Sequence, residues 1–92
     1  MRTNLASLVN VAAESGRATA SSWKAESVGD TVWVWHYDTC MIRLERWTTG
    51  WYVRPLDAGW GSMSDKQGIG KILVGCRALN ARSYRELYRE VV

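Results

Sequence analysis

The chain has 92 residues, which is enough for a single domain over residues 1–92 and leaves no room for a second. Its formal charge is +3, and the whole surplus falls in residues 47–92, a bias that permits contact with nucleic acid or an acidic protein without requiring either. One histidine and two distant cysteines exclude a zinc site.

The chain shows no targeting or membrane segment. Its first ten residues are too polar for a signal peptide, and no apolar run is long enough to cross a bilayer. We therefore expect a cytoplasmic protein that makes no membrane contact. Cys40 and Cys76 are expected to be free thiols, with one disulfide between them as the alternative.

A short helix is predicted over residues 3–14. Thr3 or Asn4 can cap it, and Gly16 ends it. Its apolar side chains recur at spacings of three and four: Leu5, Leu8, Val9 and Ala12. Residues 17–22 indicate a connector. Residues 23–28 alternate only weakly, so an extra strand there is the less favoured reading.

Three β-rich runs follow, over residues 32–37, 40–47 and 51–54, and short breaks separate them. This pattern is typical of an antiparallel meander. The predicted fold class is therefore α+β: a small three- or four-stranded antiparallel meander packed with short N-terminal, middle and C-terminal helices.

Alternation along the strands predicts which side chains share a face. In the first run, Val32 and Val34 oppose the aromatic residues Trp33, Trp35 and Tyr37. In the second run, one face is predicted to hold Cys40, Ile42 and Leu44 and the other Met41, Arg43 and Glu45. Either helices cover both faces of the first strand, or its aromatic face contacts a partner.

Two more helices are predicted after the meander. Ser64 and Gln67 fit a capping box, Gly75 suits a helix end, and Gly68 and Gly70 indicate close packing against the sheet. A second capping box at residues 83–86 begins the last helix. We expect the apolar stripe of this helix to pack on the core, and self-association as a homodimer is the alternative. The stripe consists of Tyr84, Leu87, Tyr88 and Val91.

The sequence offers little chemistry for catalysis. The single histidine, His36, lies on an apolar strand, where a structural role is favoured, and Cys40 is its only conceivable nucleophilic partner. The glycines before Lys71 lack the following Ser or Thr of a phosphate-binding loop, and the carboxylates suggest no dyad. We therefore expect no enzyme and no cofactor.

The aromatic composition instead points to binding. Six tryptophans and four tyrosines, with no phenylalanine, suit half-buried positions and interfaces better than a dry interior. The predicted partner-binding residues are Trp33, Trp35, Tyr37, Tyr52, Arg43 and Arg54. Single-stranded nucleic acid is the alternative ligand, although Asp38 and Glu45 lie nearby and no RNP-like consensus is present.

Two short motifs carry a family resemblance. Tyr37-Asp38-Thr39 resembles a Tyr-x-Thr turn between strands, and residues 60–67 resemble a helix-opening Tyr-Ser-x-Thr-Thr-Ser-Lys-His segment, with Trp60 at the tyrosine and Lys66 at the lysine. Both motifs occur in a family of small uncharacterised bacteriophage proteins. Three positions depart from the second motif: Gly61, Met63 and Gln67, the last of which replaces the histidine.

The resemblance implies a phage origin and an accessory role, and it supplies no activity. Together with the aromatic composition, it leads us to expect a non-enzymatic phage protein. Such a protein would bind a host protein, in a host-takeover or modulation role, in the cytoplasm of the infected cell.

Overall fold

A computed structural model describes residues 3–56 and 63–81 of the chain. The predicted loop around Trp60 and the predicted last helix lie outside those residues. Self-association through the apolar stripe of that helix therefore stays a prediction.

The fold is α+β, as predicted, and the described residues form one sheet, an antiparallel meander in the order β1-β2-β3-β4-β5. The number of strands was underestimated, because the sheet has five rather than three or four. In chain order the elements are a 3₁₀ turn (Leu5–Ser7), α1 (Leu8–Ser15), β1 (Arg17–Ala20), β2 (Trp23–Val28), β3 (Thr31–His36), β4 (Thr39–Trp47), β5 (Gly50–Pro55) and α2 (Met63–Cys76).

The two additional strands form the first hairpin. Residues 17–20, predicted to be a connector, form β1, and residues 23–28 form β2. Ala18 and Ala20 are buried, and their small side chains let α1 pack close to the sheet. The two-residue turn between the strands places Ser21 at φ 57°, the left-handed conformation that such hairpin turns require.

A β-bulge changes the predicted faces of β4. Val34 pairs with Ile42, but Trp35 pairs with Cys40, so Met41 is an extra residue on β4. Met41 and Ile42 are both buried as a result. The prediction that Cys40 shares the core face with Ile42 was therefore wrong, since Cys40 lies opposite Trp35.

The N-terminal helical segment follows the prediction closely. The Asn4 side-chain oxygen accepts a hydrogen bond from the Ser7 backbone N–H at 2.9 Å, and Gly16 ends α1 with φ 94°. Leu8 and Val9 point into the core.

Helix α2 begins and ends slightly away from the predicted positions. It starts at Met63, so Ser64 lies within its first turn, and it continues to Cys76, after which Arg77 takes the left-handed conformation expected of Gly75. Gly75 instead lies inside the helix against the Ala6 backbone.

The buried residues of both helices join one core with the inner face of the sheet. That core includes Leu8 from α1, Ile72 from α2, and Val34, Ile42 and Val53 from the strands. Within residues 3–56 and 63–81, we find no helix that combines the length and the apolar character needed to cross a membrane.

Candidate functional site

The face of the sheet opposite the core, here called the outer face, collects most of the predicted binding residues. Cross-strand pairing aligns Glu26, Trp33, Arg43 and Arg54 in one row across four strands. In the row on one side, Lys24 pairs with Trp35, and in the row on the other side, Glu45 pairs with Tyr52. Five of the six predicted partner-binding residues therefore share this face.

Aromatic rings on the outer face are only partly covered. Three rings on this face are half-buried: Trp33, Trp35 and Tyr52. By contrast, Trp23 and Trp51 lie on the core face and are buried. Trp47 at the end of β4 is 57% exposed and meets the Tyr52 ring edge-on, with centroids 5.4 Å apart. The domain thus keeps several large rings at its surface, at the cost of leaving apolar area in water.

Cations and carboxylates alternate among these rings. The guanidinium of Arg43 lies 5.5 Å from the centre of the Trp33 ring, and the Lys24 ammonium lies 5.1 Å from that of Trp35. Glu45 pairs with both Arg43, at 3.4 Å, and Arg54, at 3.0 Å. Lys24 also approaches Glu26 at 3.8 Å, so Lys24, Arg43 and Arg54 each have a carboxylate neighbour.

Tyr37 lies apart from the other predicted binding residues. It occupies the turn between β3 and β4 with φ 55°, which interrupts the strand alternation that would have aligned it with Trp35. Tyr37 is 73% exposed, and the centroid of its ring lies 4.6 Å from that of His36. Tyr37 therefore belongs to the end of the sheet rather than to the outer face.

A second cluster lies at that end of the sheet, where His36 has a partner on each ring nitrogen. Its Nδ1 lies 2.5 Å from Asp65 Oδ1, and its Nε2 lies 2.9 Å from Ser22 Oγ. His36 is 7% exposed, and the Trp23 ring stacks on it with centroids 4.1 Å apart. We call Ser22, His36 and Asp65 the polar cluster.

The polar cluster joins three separate elements. Ser22 comes from the β1–β2 turn, His36 from the end of β3 and Asp65 from the first turn of α2. The backbone N–H of Tyr37 also donates to the Ser22 carbonyl at 2.9 Å, which holds the two turns together. Since both ring nitrogens of His36 are engaged in this way, the suggested pairing of His36 with Cys40 does not describe the site.

Both cysteines carry free thiols, as expected. Burial raises the pKa of the half-buried Cys40 thiol, and a hydrogen bond with the Val34 backbone partly opposes the shift. Burial raises the pKa of Cys76 more strongly, to about 12. Both side chains are therefore neutral near pH 7 and are poor nucleophiles. In the described ranges, no group of three or more His, Cys, Asp or Glu side chains is arranged to hold a metal ion.

Comparisons with protein-family models, with curated proteins and with solved structures found no match for this chain.

Proposed function

We propose that this chain is a phage accessory protein that binds a host protein through the outer face of its sheet. The observation that carries the proposal is the half-buried pair Trp33 and Trp35, held on a strand that pairs on both edges, with cations over their rings. Tryptophan, tyrosine and arginine are the residues that dominate binding energy at protein interfaces. The phage origin and the cytoplasmic location rest on the sequence resemblance and composition.

The charge pattern favours a protein partner over a nucleic acid. A phosphate backbone gains affinity from unpaired cations, whereas Arg43 and Arg54 already contact Glu45. A phosphate approaching either arginine would also meet that carboxylate. A mixed charge pattern around aromatic rings instead suits a folded surface with complementary charges.

The size of the face sets what affinity to expect. The described part of the molecule measures 29 × 28 × 24 Å. One face of it can bury at most roughly the 800 Å² per partner that is typical of a standard interface. Affinity must therefore depend on a few strong contacts, and we assign these to Trp33 and Trp35.

The experiment uses the intact chain as bait in an extract of bacterial cells, beside two variants. One carries Trp33→Ala and Trp35→Ala together; the matched control carries Val74→Ala, at a 70% exposed apolar side chain on α2. We expect a host protein that is retained by the wild type and the control and lost by the double variant. With that protein purified, titration calorimetry should show at least about a 30-fold weaker Kd for the double variant.

Two results would count against this proposal. One is a set of captured proteins that does not change when both tryptophans are removed. The other is tight binding of a single-stranded oligonucleotide that weakens steeply as salt is raised and depends on Trp35, since that would favour the nucleic-acid alternative.

A further inference from the structure

We infer that the polar cluster is a nucleophilic site in which Ser22 accepts an acyl group from a small carboxylic ester. This site is separate from the outer face and does not depend on the proposed binding function. A catalytic role for this cluster departs from the expectation that the chain is not an enzyme. Labelling of Ser22 and ester hydrolysis decide between a catalytic cluster and a structural one.

The order of the hydrogen bonds carries the inference. A serine becomes a useful nucleophile when a base accepts its proton and a third group orients that base. Asp65 lies 2.5 Å from His36 Nδ1, and Ser22 Oγ lies 2.9 Å from His36 Nε2. A carboxylate on Nδ1 fixes the tautomer that carries its proton there, so the lone pair of Nε2 faces the serine hydroxyl.

The surroundings hold this geometry in place. The Trp23 ring lies nearly parallel to the His36 ring, at an interplanar angle of 8°, and the Tyr37 ring lies beside it. These rings prevent the imidazole from turning and shield it from water, which strengthens its hydrogen bonds. Asp65 is itself largely buried, with 15% of its side chain exposed. A base and its orienting carboxylate are therefore fixed before any substrate arrives.

Ser22 is the accessible member of the cluster. It lies in a two-residue turn and is only half-buried. The cleft beside the turn is lined by Ala20, Ser21 and the segment Thr3–Leu5, and Ser22 does not line it. A serine with a histidine base transfers acyl groups, and a half-buried hydroxyl is reached most readily by a compact one. The substrate class is therefore an ester with a small acyl group.

The chemical step is balanced by the residues present and water. Ser22 Oγ attacks the ester carbonyl carbon while its proton passes to His36 Nε2. The C–O bond to the alcohol breaks, and His36 returns the proton to the departing oxygen. Water then attacks the acyl-serine with His36 again as base, which releases the carboxylic acid and restores the Ser22 hydroxyl. Asp65 acts as a positioning residue throughout.

A fluorophosphonate probe and a chromogenic ester, p-nitrophenyl acetate, test this inference on the intact chain. We expect the probe to add to the peptide that contains Ser22, as measured by mass spectrometry, and Ser22→Ala to abolish the addition. We expect ester hydrolysis to fall by about 10²-fold or more in Ser22→Ala. The matched control is Thr19→Ala, which removes an exposed hydroxyl on β1 and leaves the polar cluster in place, so it should keep both signals.

Asp65→Asn separates positioning from structural support. It should lower kcat while leaving KM unchanged in protein that circular dichroism shows to be folded, because an amide cannot hold the Nδ1 proton as a carboxylate does. The inference is overturned if the probe fails to label Ser22, if Ser22→Ala keeps wild-type hydrolysis, or if Asp65→Asn changes only KM. The cluster would then be a structural link among three elements. None of these results bears on capture by the outer face.

Discussion

The contact between Gly68 and Trp23 gives the sharpest test of how α2 packs on the sheet. A Cβ at position 68 would lie 2.2 Å from Cζ2 of Trp23, far inside the roughly 3.5–4.0 Å at which carbon atoms pack. The ring has little freedom to retreat, because it also stacks on His36, with ring centroids 4.1 Å apart. We therefore expect Gly68→Ala to destabilise the protein.

The magnitude follows from two opposing terms. Overpacking a core costs typically 1–3 kcal/mol, and so severe a clash belongs at the upper end of that range. Replacing glycine by alanine within a helix returns about 1 kcal/mol through helix propensity. The net loss should be about 2 kcal/mol. With an m-value of roughly 1–3 kcal/mol per molar urea, the unfolding midpoint should fall by about 1 M.

A double-mutant cycle makes this prediction refutable. Trp23→Phe removes the part of the indole that Gly68 faces, so adding Gly68→Ala in that background should cost much less, with a coupling energy of at least about 1 kcal/mol. Urea unfolding followed by far-ultraviolet circular dichroism measures all four proteins. A Gly68→Ala variant as stable as the wild type, or the same cost in both backgrounds, would show that the helix does not rest on the indole as described.

Three further predictions concern other contacts. Gly75→Ala should be destabilising, because its Cβ would meet the Ala6 backbone rather than a movable side chain; calorimetry should show a lower Tm. Asn80→Ala should cost about 1–3 kcal/mol in urea unfolding, because the Asn80 amide bonds both the N–H and the C=O of Val53, at 2.8 and 3.0 Å, whereas Leu79→Ala should cost less. Cys76 has its pKa raised from 9.0 to about 12, so above pH 9 the unfolded chain loses a proton that the folded protein keeps. Its contribution to stability should fall by about 1.4 kcal/mol per pH unit between pH 9 and 12, and Cys76→Ala should flatten that part of the stability profile; an equally steep slope in the variant would contradict the assignment.

The meander was predictable because its strands carry strong local patterns. Runs rich in Val, Ile and Trp, with short breaks between them, correctly predicted β3, β4 and β5. β1 was not predictable in this way, since Arg-Ala-Thr-Ala has little intrinsic preference for a strand. It becomes a strand because β2 pairs with it and α1 packs on its two alanines. The bulge at Met41 was hidden for a related reason, since one extra residue leaves no mark in an alternating apolar run.

The two candidate sites also differ in whether a local sequence pattern predicts them. Strand alternation placed Trp33 and Trp35 on one face, and the cross-strand register that adds Arg43 and Tyr52 follows from the meander itself. The polar cluster had no comparable signal, because Ser22 and Asp65 are distant from His36 in sequence and meet it only through tertiary packing. The only hint was a lone histidine within an apolar strand, since such a residue needs partners for both ring nitrogens.

The strand order also bears on how the molecule assembles. Each strand pairs with its immediate neighbour along the chain, so the sheet forms as successive hairpins. Closing the short loops between them costs little conformational entropy. By contrast, Gly75 reaches the Ala6 backbone only after the two ends of the described chain have come together. The hairpins can therefore form early and locally, and the joining of α2 to the N-terminal 3₁₀ turn is the contact that must wait until the sheet exists.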